Sequence, residues 1–231
     1  MSLDATVIDL CAAVFDWAQF RTTKGAVKLH LLLDHDGYLP SYAVITEGKV
    51  HEIQVARQLK LQRGTVLVFD RGYSDYAWFQ HLTEEGVHFV TRLKDNATYL
   101  VVERRPRSGE GVLADEIIVL EKQARSNVDT APFLRRVRYL EEATQRELVF
   151  LTNHLELPAS TIAAVYKERW QIELLFKALK QNLRVKTFVG TTANALKTQI
   201  WTALMALLAV KFLQLQAQFP WSLSRLIALL R

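Results

Sequence analysis

The chain is poor in the residues that staple or interrupt a fold. Its single cysteine, Cys11, excludes an internal disulfide; the expectation is a reducing compartment, with Cys11 acting as a small buried hydrophobe. Five prolines and nine glycines in 231 residues are too few for a collagen-like or disordered composition. No internal repeat or low-complexity tract is present. No secretory signal is expected, since Asp4 and Asp9 fall where a basic segment and an apolar core would be needed. The most apolar run, from Ile200 to Val210, covers about half of the roughly 20 residues of a membrane span, and Lys211 closes it. That run reads as a core helix, and no membrane partner is expected. What is present is an ordinary globular composition, 50% apolar and 23% charged, with a net charge of +5 that favours a polyanionic partner.

Leu3–Leu10 reads as a strand rich in β-branched residues, followed by an aromatic-rich connection over Cys11–Thr23. Val27–Leu33 and Tyr38–Thr46 are two more strands around the turn His35-Asp36-Gly37, which makes an antiparallel meander. His51–Leu59 reads as a short helix. Thr65–Phe69 is a continuous apolar run, the pattern of a strand buried on both faces. Asp70-Arg71-Gly72-Tyr73 ends it, a helix over Asp75–Glu85 follows, and Val87–Leu93 returns as a parallel strand ending in Arg92-x-Lys94. Ligands in such sheets gather beyond the carboxyl ends of the strands, where Asp70 falls. From Asp95 to about Glu147 charge density rises and short alternating segments recur. Arg135, Arg136 and Arg138 there read as exposed positions of a strand, a DNA-facing edge being the other reading. Ala193–Gln216 is a largely apolar helix, with a short helix expected after Pro220.

Thr161–Leu183 reads as one long helix without Gly or Pro. At about 100° per residue, Tyr166, Arg169, Glu173 and Lys180 share an arc roughly 60° wide, beside an apolar stripe of Val165, Ile172, Leu175, Phe176 and Leu179. A solvated, ion-paired face explains the polar arc; a carboxylate between two cations facing an anion explains it too. Asp4, Asp70 and Glu173 have equally plain readings singly: a fraying end, a turn former and half of an ion pair. Together they form the set of oxygen ligands that Mg²⁺ takes in phosphoryl transfer, with substrate phosphate and water completing the shell. His30, His51 and Trp17, Trp78, Trp170 and Trp201 read as structural, the tryptophans as core.

At these positions the chain resembles a known family. Tyr166-x2-Arg169-x3-Glu173-x6-Lys180 is similar to the signature of bacterial insertion-sequence transposases of the DDE group, in the IS-four family. Asp70-Arg71-Gly72-Tyr73 and Leu3-Asp4-Ala5-Thr6 resemble the family's blocks for the second and first catalytic aspartates. Thr23–His30 and Asn194–Gln199 are also similar to family sequence. The resemblance implies an α/β, ribonuclease-H-like mixed sheet with flanking helices and a β-rich insertion. It implies a core over residues 1–94, the insertion over 95–150, and the remaining core over 151–231. Asp4, Asp70 and Glu173 would then be the catalytic, metal-binding triad for two Mg²⁺ or Mn²⁺ ions. Tyr166, Arg169 and Lys180 would contact DNA, with Arg92 and Lys94 as further phosphate-gripping candidates.

The implied reaction is 3′-end cleavage and strand transfer, with transposon ends and target DNA as partners in a bacterial cytoplasm at the nucleoid. A homodimer, or a complex with intact transposase, is the implied protein partner. Family members ordinarily carry an end-recognising region ahead of the first aspartate. Here Asp4 follows Met1 by three residues, so the expectation is a chain lacking that region. The competing reading is a non-catalytic DNA-binding or oligomerising fragment that modulates intact transposase.

Overall fold

A computed structural model describes residues 1–11, 13, 15–21, 24–121, 132–182, 189–217 and 221–229. Thr23, Leu183, Pro220 and part of the 95–150 segment, all included in the expectations above, lie outside the described residues. The strands are β1 (Ser2–Leu10), β2 (Gln19–Arg21), β3 (Lys24–Leu33), β4 (Pro40–Glu47), β5 (Val66–Phe69), β6 (His88–Arg92), β7 (Tyr99–Arg105), β8 (Val112–Leu120), β9 (Leu134–Glu141) and β10 (Arg146–Thr152). The helices are α1 (Glu52–Ala56), α2 (Tyr76–Glu84), α3 (Ala159–Lys167), α4 (Trp170–Asn182), α5 (Ala193–Gln216) and α6 (Leu223–Leu229). The chain divides into two compact units, Met1–Leu3 with Ile53–Arg169, and Asp4–Glu52 with Trp170–Arg231. The class is α/β, with a mixed, mostly antiparallel sheet flanked by helices, in keeping with a ribonuclease-H-like fold.

In the first unit, β5 pairs in parallel with the start of β1, Ser2 opposite Val68 and Leu3 opposite Phe69. On its other side β5 pairs in parallel with β6, joined through α2. Then β6 meets β10 antiparallel, and β10, β9, β8 and β7 follow as antiparallel neighbours. The apolar run of β5 has the burial its composition predicts: Leu67, Val68 and Phe69 are fully enclosed. Phe69, Tyr73, Trp78, Phe79 and Phe89 form an aromatic cluster beside it, with Phe79 stacked on Phe89 at 4.5 Å. Helix α3 docks through Ala159, Ile162 and Ala163 against Val90, Val137 and Phe150.

The arginines of β9 depart from expectation. Arg135 is 3% exposed and makes a two-pronged pair with Asp115 at 2.8 and 2.7 Å. It also donates to the Leu155 and Leu157 carbonyls, just before α3. Arg136 pairs with Glu116 at 2.6 Å, and Arg138 with Glu147 at 2.5 Å. The sequence reading has all three as exposed; Arg135 and Arg136 are instead enclosed against carboxylates on a neighbouring strand, because a guanidinium enters a sheet only with such a partner, while Arg138 keeps a half-exposed surface pair.

In the second unit, β3 pairs antiparallel with β2 and with β4, the latter across a turn where Gly37 (φ +75°) and Tyr38 (φ +54°) are both left-handed. Leu29, Leu31 and Leu33 of β3 join Ile8 and Leu10 of β1 in a core covered by Ile172, Leu175, Phe176 and Leu179 of α4. From α5 come Leu196, Ile200, Leu204 and Leu207. His30, on the opposite face of β3 from Leu29, Leu31 and Leu33, is enclosed with Nε2 2.9 Å from Thr46 Oγ1, beside the Lys28–Glu52 ion pair at 2.8 Å. Burial, the largest cause, holds its pKa down to about 4, with Glu52 opposing and Lys28 reinforcing.

Four further expectations are corrected. The long helix is two, α3 and α4, separated by a turn at Glu168 and Arg169, where the Arg169 N–H reaches Tyr166 O at 3.1 Å in a tightened i to i+3 bond. Cys11 is exposed, because β1 ends at Leu10 and the chain leaves the core there. Trp170 and Trp201 are 56% and 41% exposed rather than core. Helix α5 is long and apolar enough to cross a membrane by length and composition, yet only one stripe of it enters the core; Met205 and Phe212 are each 59% exposed.

Candidate active site

In the first unit, Asp70 follows the last residue of β5, and its carboxylate caps the short 3₁₀ turn Arg71–Tyr73. The Gly72 N–H donates to Asp70 Oδ1 at 2.8 Å. That bond explains the glycine: a Cβ at position 72 would stand 2.9 Å from the same oxygen. Asp70, Arg71, Gly72, Lys94, Asp95 and Asn96 line one broad, open hollow. Lys94 is thus brought to Asp70, as the carboxyl ends of parallel β5 and β6 require.

Tyr166 and Arg169 sit at the end of α3. The Tyr166 ring lies 5.0 Å from Phe150, and the Arg169 guanidinium stands over it at 5.6 Å. Burial raises the Tyr166 hydroxyl above its ordinary pKa. Arg169 and Arg92 pull the other way, while the Asp70 charge adds to the rise. Asp70, Arg92, Tyr166 and Arg169 therefore share one electrostatic neighbourhood, built wholly within the first unit. Asp70 with Lys94 on one hollow pairs a carboxylate able to hold a cation with an ammonium able to grip a phosphodiester.

Asp4 and Glu173 belong to the second unit, on β1 and α4. Asp4 directly follows Leu3, whose register partner Phe69 directly precedes Asp70. Asp4 Oδ1 accepts the Ala5 N–H at 2.8 Å. Glu173 and Lys180 are half-buried on α4, beside the core-facing stripe of Ile172, Phe176 and Leu179. Among the described residues, no three His, Cys, Asp or Glu side chains form a group able to hold a metal ion by themselves. Carboxylate oxygens suit a hard divalent cation, and Mg²⁺ commonly takes one or two of them and completes its shell with substrate phosphate and water.

One neighbour escaped the sequence reading. Asp95 pairs with Arg71 at 3.0 Å on the rim of the Asp70 hollow. Its signal was its place one residue beyond Arg92-x-Lys94, at the same strand end as Asp70. The pair is exposed and contributes little stability; its effect is to hold Arg71 beside the hollow.

The profile of the family described as "Transposase DDE domain" matches residues 1–209. The chain belongs to this transposase DDE domain family. It is 34% identical over 209 residues to a protein of Sinorhizobium fredii named as a transposase, y4zB, with 88% of this chain and 58% of that one aligned. A Geobacillus stearothermophilus protein named as a transposase for insertion sequence element IS5377 is 31% identical, aligned over 91% of this chain and 55% of its own length. Transposase InsG for insertion sequence element IS4 of Escherichia coli is 26% identical, over 80% and 43%. The chain spans a little over half the length of the first two.

Proposed function

We propose that this chain is the catalytic domain of a DDE transposase, acting by metal-dependent 3′-end cleavage and strand transfer on transposon-end and target DNA. The observation that carries the reading is Asp70, fixed by the Gly72 N–H and sharing a hollow with Lys94 at the strand ends where a ligand site is expected, in a chain of the transposase DDE domain family. Asp4, Asp70 and Glu173 would hold the divalent ions, Mg²⁺ or Mn²⁺. When bound, such ions activate the attacking oxygen and stabilise the leaving one. Arg92, Lys94, Arg169 and Lys180 neutralise the scissile phosphate and its flanking strand, and Tyr166 orients it through its hydroxyl. In domain terms, residues 95–150 form the insertion within a core made of 1–94 and 151–231. Cytoplasmic location and self-association, or association with intact transposase, accompany the same reading.

The test uses pre-cut end DNA with Mg²⁺ or Mn²⁺. The unmodified chain joins or nicks it, and Glu173→Gln loses at least 100-fold in rate while DNA affinity stays within about threefold, the size of effect expected when a positioned group is lost. Full turnover by Glu173→Gln would remove the triad. Tight DNA binding with no turnover in the unmodified chain would favour the other reading, a non-catalytic DNA-binding or oligomerising fragment that modulates intact transposase.

A further inference from the structure

The second unit has a hollow of its own, lined by none of the four signature residues. Its volume is about 320 Å³, and α4, the second half of α5, Tyr38 and Ser222 line it. The described lining carries two lysines, Lys177 and Lys211, and three carboxamides, Gln171, Gln181 and Gln214, but no Asp or Glu. Lys211 stands at its wall, half-buried, with Nζ donating to Gln214 Oε1 at 2.9 Å and lying 5.8 Å from the centre of the Tyr38 ring. Gln214 is itself fixed, donating to Trp221 O at 2.5 Å.

These are neutral partners for a full positive charge. Desolvation pulls Lys211 below the ordinary lysine value. An ammonium in that position gains from any anion that enters, and Gln171, Lys177 and Gln181 on the same lining can donate hydrogen bonds to it. Lys177 stands exposed at the rim. At about 100° per residue it lies roughly 60° around α4 from Lys180, and about 4.5 Å along the axis. The hollow therefore adjoins the polar stripe of Glu173 and Lys180 on the side away from the core. A strand of phosphates passing over that stripe meets Lys177 next, then Lys211.

We propose that this hollow is a second seat for the DNA backbone, taking one phosphodiester against Lys211 with Lys177 touching its neighbour. The inference rests on the DNA-processing reading above and adds a phosphate seat outside the Tyr–Arg–Glu–Lys positions. Its test is the salt dependence of equilibrium binding to a 30-base-pair duplex, which needs no turnover. Every phosphate that a variant no longer neutralises lowers the slope of log affinity against log salt by about 0.9. Lys211→Met should lower it by about 0.9, and Lys177→Met with Lys211→Met by about 1.8, which is roughly 10- to 60-fold in affinity at 0.1 M salt. Lys211→Arg should keep the original slope. Parallel salt plots for the double variant and the unmodified chain would overturn the proposal. So would an unchanged slope in Lys177→Gln, a rim variant whose folding does not depend on the hollow. Absence of DNA binding by the unmodified chain would instead sink the transposase reading itself.

Discussion

The two compact units hold their site residues by different physics. In the first, position is set by directional polar bonds. Gly72 fixes the Asp70 carboxylate, Arg169 stands over Tyr166, and Arg135 with Asp115 clamps the carbonyls that lead into α3. In the second, position is set by apolar packing. Glu173 rides on a helix held by Ile172, Leu175, Phe176 and Leu179 against the strands of the core. Directional bonds give angular control and fail abruptly when one partner goes. Packing gives broader support and degrades in proportion to the volume removed. One four-residue signature draws on both, its Tyr–Arg half on the first and its Glu–Lys half on the second.

The largest effect should come from breaking the buried pair. Arg135→Met alone strands Asp115 in the sheet and should cost about 3–5 kcal/mol in urea unfolding. Replacing both, Arg135→Met with Asp115→Leu, should recover most of that loss. In the second unit, Leu179→Ala should cost about 2–5 kcal/mol, and Leu179→Met less than about 1.5. Equal losses for the single and double arginine variants would erase the contrast between the units.

Next in size is Gly72→Ala. Its Cβ meets Asp70 Oδ1 at 2.9 Å, so the carboxylate must turn or shift. We expect about 100-fold slower turnover, the cost of misplacing a reacting group by about 1 Å, with the melting temperature nearly unchanged. Unimpaired turnover in Gly72→Ala would show that Asp70 tolerates displacement.

The smallest effect is a pH dependence in the second unit. His30 is held near 4 when folded and titrates near 6.5 when unfolded. Its contribution is therefore fully present above about 6.5 and is lost as pH falls from there towards 4, because the unfolded chain takes up the proton first. A decline on the order of 2 kcal/mol between pH 7.5 and 4.5 should appear in urea midpoints. It should shrink in His30→Gln.

Strand and helix periodicity made most of the element order legible. The β5–α2–β6 unit and the β3–β4 hairpin follow from an apolar run, a turn signal and alternation alone. The departures share one cause: local pattern says nothing about what arrives from elsewhere in the chain. Arg135 alternates like a surface residue, and only Asp115, twenty positions away, makes it a buried one. The turn at Glu168–Arg169 has no glycine or proline to mark it. The apolar length of α5 exceeds the core available to cover it, so Trp201 and Phe212 stay exposed. Of the residues around the hollow, Asp70 and Lys94 were legible as positions at strand ends; Tyr166 and Arg169 were legible only as members of one polar arc, not as the end of a helix, and Asp95 beside Arg71 was not legible at all.

The central claim is that Asp4, Asp70 and Glu173 bind divalent ions as a set once DNA supplies phosphate oxygens. Electron paramagnetic resonance of Mn²⁺ titrated into the complex with pre-cut end DNA measures this without requiring turnover. The account expects tightly held Mn²⁺, about two ions per chain, with at least one lost in each of Asp4→Asn, Asp70→Asn and Glu173→Gln while DNA stays bound. Undiminished Mn²⁺ binding in any one of the three would contradict it.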